Sequence, residues 1–220
     1  MWLFFGIGYN MFSIELLDTI GTVQKKVNQA CADHLNNNIL TAGSKLSAKF
    51  KSVVEGWLLS QPEIISLSTA SPDSLMAQFG LAPGQGPMVT AQIIQAVKAS
   101  VRVQVRKFDM NLRGGIDVFF QPSNFQNLLS LSSGHTIILN GDLHWLNWLL
   151  TFGDTVIVAG YDYNAETGIG RSGLGNMQEG GSWRVPPEFS GTLQNNFVTR
   201  ALIGKQQEET IAKIFQEVLS

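Results

Sequence analysis

The chain is poor in several things, and each shortage excludes something. Cys31 is its single cysteine. One thiol rules out an intrachain disulfide and any thiolate metal cluster. Cys31 falls in a helical pattern, where a free cysteine is expected to be a small core or interface residue. Histidine is scarce too, with His34, His135 and His144 the only three. Charged residues make up 15% of the chain, against about 25% in ordinary soluble domains. So little charge leaves less polar surface to hold neighbours apart, which favours assembly into something larger. The net charge of −2 provides no footprint for nucleic-acid binding, and no sequence-specific nucleic acid is expected.

The apolar start, MWLFFGIGYNMFS, lacks the basic n-region and small-residue cleavage site of a signal peptide. It is also shorter than the roughly 20 apolar residues that span a bilayer. No membrane partner is expected. Residues 1–12 read as an apolar arm that docks on a partner, or as an over-long start with Met11 the first true residue. At 220 residues the remainder, 13–220, reads as one domain with a sizeable core.

What is present begins with a helical stripe. Ile14, Leu17, Val27, Cys31, Leu35, Ile39, Ala42, Leu46, Phe50, Val53, Val54 and Trp57 recur mostly three and four apart, as one face of a helix. Ser13 is placed to cap it and Pro62 to end it. Asn36, Asn37, Asn38 and Gly43 are poor helix formers, so a break is expected near 36–43. An unbroken helix over 13–60 would run about 65–70 Å. It would then have to lie along a neighbouring subunit.

Downstream, Ser71 and Pro72 mark a short helix start, and Thr90 is placed to cap a helix over 91–99. Val101, Val103 and Val105 alternate with Arg102, Gln104 and Arg106, the period of a half-buried strand. A turn at 112–115 leads to a second strand over 116–120, expected to pair antiparallel with the first. Residues 123–131 read as a short helix and 135–139 as a strand. Asp142 is expected to cap an aromatic helix carrying Trp145 and Trp148, with His144 in its first turn. A strand follows from Thr155, and an amphipathic helix covers 205–218. Trp145, Trp148 and Trp183 are expected in core or subunit interface.

Residues 168–201 have almost no periodicity, yet they carry aromatics, arginines and a Pro186-Pro187 pair. A long irregular loop in a compact domain is either functional or disordered, and Trp183, Phe189, Leu193 and Phe197 give this one something to bury. It reads as an interaction surface that orders against a neighbouring subunit. Its expected interface residues are Arg171, Trp183, Arg184, Pro186, Pro187, Phe189, Asn195, Asn196, Phe197 and Arg200. The overall expectation is an α+β fold. A long N-terminal helix and a C-terminal helix pack on a small, mostly antiparallel sheet, with this long irregular loop.

Motifs that look like chemistry lack their context. Gly168-Ile169-Gly170-Arg171-Ser172-Gly173 matches G-x-G-x-x-G, but dinucleotide binding needs a helix directly after it. Further glycines follow instead. Gly141-Asp142-Leu143-His144 resembles one metallophosphatase block, but a two-metal site needs ligands from several strand ends. Ser172 lacks the nucleophile-elbow pattern and a sequence-adjacent partner. No enzyme activity, catalytic residue, metal or cofactor is expected. A metal- or serine-dependent hydrolase using Asp142, His144 and Ser172 is the alternative from another class.

The order of elements resembles the tail-completion (neck) proteins of tailed bacteriophages. Residues Leu150-Thr151-Phe152-Gly153 stand where that family has a short Phe-Gly turn. Asn195-Asn196-Phe197 stand where it steps into a terminal helix. The chain lacks the family's acidic residue before Phe152, its threonine after Gly153 and its proline before Phe197. The resemblance implies a virion protein of the neck or tail, assembled in the host cytoplasm. It would form a ring, hexamer or dodecamer, against adjacent neck, connector and tail proteins. An adaptor or tail terminator is the alternative within the same class.

Overall fold

The structure is a computed structural model and describes residues 18–138 and 141–220. The expected arm 1–12, the cap at Ser13 and the strand end at Leu139 lie outside the described residues. The fold is mixed α+β, as the sequence implied: a long N-terminal helix, a C-terminal helix, and small antiparallel sheets.

Helix α1 spans Ile20–Leu59, 40 residues without interruption, or about 60 Å. Thr19 is its N-cap, accepting from the Thr22 amide at 3.3 Å. The break expected near 36–43 does not occur, for two reasons. Asparagine disfavours helices because its side chain competes for nearby backbone. Here Asn36 turns outward, donating to the Phe108 carbonyl at 3.0 Å and accepting from the Phe108 amide at 2.7 Å. Gly43 is a packing glycine, since a Cβ there would stand 3.1 Å from Cγ2 of Val105. The missing side chain lets a strand lie close on the helix.

The buried residues of α1 are Ala32, Ile39, Ala42, Leu46, Phe50, Val54 and Leu58. From Ile39 on they form a regular three-and-four stripe, which is the core face. Cys31 is exposed, which removes the core half of its expected core-or-interface role, because it sits on the part of α1 ahead of that face.

Pro62 opens α2 (Pro62–Ser68) at its first turn, where a missing N–H costs nothing. Ser74, not Ser71, caps α3 (Leu75–Gln78), accepting from the Ala77 amide at 3.2 Å. Helix α4 covers Gln85–Ser100. It starts earlier than the Thr90 cap expected from sequence, and Thr90 instead donates back to the Pro87 carbonyl from inside the helix. Strands β1 (Arg102–Arg106) and β2 (Gly115–Phe119) pair antiparallel, Gln104 opposite Asp117. A short α5 (Gln126–Leu129) follows. Then β3 (Thr136–Ile138) and β4 (Gly141–Leu143) form a second antiparallel ribbon.

Helix α6 (Trp145–Leu150) precedes a third ribbon of β5 (Val156–Asn164) and β6 (Asn176–Arg184). The chain closes with α7 (Phe197–Leu202) and α8 (Lys205–Leu219). Among the described residues the strands form three two-stranded ribbons rather than one sheet.

One core joins these parts. Phe50 of α1 meets Phe120 and Phe215 edge-on, both at 5.6 Å between ring centroids. That ties α1 to the end of β2 and to α8. Deeper along α1, Leu58, Ile64, Leu67, Ile93, Trp145 and Phe197 are fully enclosed.

Candidate functional site

The 168–201 stretch contains a strand of nine residues. Asn176–Arg184 forms β6, paired residue by residue with β5, Trp183 opposite Val158. Its sequence hid this because glycines at 180 and 181 interrupt the alternation. Both take positive φ, 116° and 74°, beside a register shift between Ala159 and Tyr161. Such a bulge bends a ribbon and breaks its two-residue period. The G-x-G-x-x-G run lies in the connection before β6. It closes on itself, the Gly173 amide donating to the Gly170 carbonyl at 3.0 Å.

The residues singled out there divide by burial. Trp183 is 3% exposed, its ring edge-on to Phe79 at 5.9 Å. Phe197 is fully buried at the start of α7. Asn196 is also fully buried. It caps α7 by accepting from the Thr199 amide at 3.0 Å, and donates to the carbonyls of Leu150 and Thr192 at 3.2 and 2.9 Å. Phe189 is half-buried against the same core. As interface residues Trp183, Asn196 and Phe197 need correction: their side chains are buried inside the subunit. Trp183, Asn196 and Phe197 are held in its core and Phe189 is packed against it.

The other residues of the set reach the surface or stop just below it. Arg184 pairs with Asp154 at 3.3 Å. Arg171 donates to the Ile137 carbonyl. Pro186 is half-buried and Pro187 exposed, both in a turn that the Phe189 amide closes onto the Pro186 carbonyl at 2.9 Å. Asn195 accepts from Arg200 at 3.2 Å, and Arg200 reaches on to the buried carboxylate of Glu63. The pKa of Glu63 is raised by burial, which its own backbone hydrogen bond and the Arg200 charge oppose.

Three exposed features stand beside this. The first is the leading half of α1. Ahead of Ile39 only Ala32 is buried on it, while Ile20 and Val27 are 82% and 53% exposed. The loop between β1 and β2 touches it through asparagine: Asn28 donates to the Met110 carbonyl at 3.1 Å, as Asn36 does to Phe108. The second is an apolar groove of about 570 Å³ between β2 and α7. Phe119, Leu193 and Ile203 line it and are 54%, 46% and 69% exposed. The third is a cluster on the β3–β4 ribbon. His135 Nδ1 lies 2.6 Å from Asp142 Oδ1, and His144 Nε2 lies 3.4 Å from Asp142 Oδ2.

Asp142 therefore does not cap α6, as the sequence had implied. It belongs to β4, and His144 occupies the position before the helix. Sequence reasoning noticed Asp142 and His144 but missed His135 as their partner, because the link is a strand register rather than a spacing. Ser172 does not join this cluster through its own hydrogen bonds. Its Oγ donates to the Leu174 carbonyl and accepts from the Leu174 amide.

Comparison of the chain with protein-family models, with curated proteins and with solved structures gave no match.

Proposed function

We propose that the chain is a self-associating structural subunit, of the ring-forming kind found in the neck or tail-completion region of tailed phages. The observation that carries the association is α1. Its leading half runs on beyond the stripe that the subunit buries, with Ile20 and Val27 in solvent. A helix of that length gains little inside one small domain, since most helical stability comes from packing an apolar face. A second copy supplies that face. The β2–α7 groove, with Phe119 and Ile203 exposed, offers the complementary apolar surface that a head-to-tail contact requires. The low charge content works in the same direction. The phage assignment rests on the resemblance in element order. Its partners are then the adjacent neck, connector and tail proteins, and its place is the virion.

Light scattering after size exclusion, with negative-stain microscopy of the same fractions, tests the reading. Closed rings of six or twelve copies are expected at high concentration. A strict monomer there would overturn the proposal. Val27→Glu combined with Ile203→Ser is expected to abolish the rings, with each exposed substitution changing monomer stability by about 0.5 kcal/mol or less.

A further inference from the structure

The cluster on the β3–β4 ribbon gathers three side chains that can each offer a metal-ligating atom. Thr136 pairs with Leu143 and Ile137 with Asp142. Side chains alternate faces along a strand, and cross-strand partners share a face. His135, Ile137, Asp142 and His144 therefore share one face of the ribbon. Thr136 and Leu143 take the other, where Thr136 is buried and Leu143 packs against the core. The outer face holds two imidazoles and one carboxylate. The two rings stack at 5.1 Å with 16° between their planes.

We infer that His135, Asp142 and His144 form a binding site for a divalent transition-metal cation of the zinc type. One ligand atom from each residue lies within 4.8 Å of the other two. Zinc takes imidazole nitrogen and carboxylate oxygen at about 2.0–2.2 Å, which sets ligand atoms about 3.3 Å apart in a tetrahedral site. The Asp142 contacts, 2.6 Å through Oδ1 and 3.4 Å through Oδ2, are of that order, and turning one of the two stacked rings brings both imidazole planes onto one ion. Two imidazoles with one carboxylate suit zinc, cobalt or nickel rather than magnesium or calcium, which prefer oxygen ligands. The side chains of His135, Asp142 and His144 are 26%, 40% and 54% exposed. An ion can therefore enter, and water or an atom of another molecule can fill the fourth position. Arg171 donates to the Ile137 carbonyl and, among the described residues, forms no salt bridge with Asp142. The site is independent of the ring proposal, since it requires nothing from a second copy.

The test uses the full chain stripped with a chelator and then titrated with cobalt(II). A visible absorption band saturating at one equivalent is expected, bleached on adding zinc and unaffected by magnesium. In the histidine NMR spectrum of the unaltered protein, zinc is expected to shift the ring signals of His135 and His144. His34, on α1 beside Asn38, serves as the internal control and should not move. His144→Ala, at the most exposed ligand, is expected to weaken binding at least tenfold with an unchanged melting temperature, and His34→Ala to leave it unchanged. Three results would each overturn the inference: no saturable band, equal shifts at all three histidines, or unaltered affinity in His144→Ala.

Discussion

Arg200 of α7 holds the carboxylate of Glu63 at the start of α2, across 137 residues of sequence. Glu63 has no exposed side-chain surface, while the Arg200 side chain keeps 37% of its own. The second carboxylate oxygen, Oε2, has no protein hydrogen-bond partner. The pair thus joins two helices through a charge that burial disfavours, and removing the arginine leaves that charge uncompensated.

Arg200→Met is expected to cost about 1–3 kcal/mol at neutral pH, below the usual figure for a buried pair because Arg200 is partly exposed. The loss should depend on pH in one direction. Burial raises the pKa of Glu63 above its ordinary 4.5, and the Arg200 charge opposes that rise. An acid with a raised folded-state pKa contributes its full stability below the ordinary value. It loses that contribution as pH climbs through the folded value. Removing Arg200 raises the folded value further and widens this window upward. The melting-temperature gap between wild type and Arg200→Met should therefore narrow on acidification from about pH 8 to about pH 5. Adding Glu63→Gln to Arg200→Met should remove most of the pH dependence. A gap constant with pH would mean that the carboxylate is not the cause.

Trp183→Ala is expected to destabilise the monomer by about 3–5 kcal/mol, the usual cost of emptying an aromatic site in a core. The ring is 3% exposed and packs on Phe79. Trp183→Phe should cost distinctly less. It keeps most of the volume and removes an indole N–H that has no protein partner. Chemical denaturation of all three proteins under monomeric conditions checks this. Normal monomer stability in Trp183→Ala would show that the residue works at a subunit contact instead.

Gly191→Ala is expected to cost about 1–3 kcal/mol or more through overpacking. A Cβ there would stand 1.9 Å from the Leu149 carbonyl oxygen and 2.8 Å from Cβ of Asn196. The backbone cannot easily withdraw, because Gly191 donates to the Trp148 carbonyl at 3.1 Å and accepts from the Gly153 amide at 2.8 Å. The α6–α7 junction should loosen with it, seen as faster amide exchange at Arg200, whose N–H bonds the Asn196 carbonyl. Wild-type melting in this variant would place the close approach elsewhere.

The sequence by itself determined the elements whose pattern is local. The stripe Ile39, Ala42, Leu46, Phe50, Val54 identifies the core face of α1, because helical period and burial coincide there. The alternation over 101–106 marks β1, and the amphipathic end of the chain marks α8. Tertiary structure decided whatever depended on a distant partner. Asn36 remains helical because Phe108 takes up its side chain, and Gly43 because Val105 packs on it. Strand β6 exists because β5 pairs with it, although its glycines erase the period. Asp142 leaves the helix-cap role for the company of His135 because a two-stranded register sets them side by side. Spacing along the chain reports which residues share a face of one element. Only the folded chain brings faces of different elements together, and the candidate metal ligands, the buried pair and the place of Trp183 all depend on that.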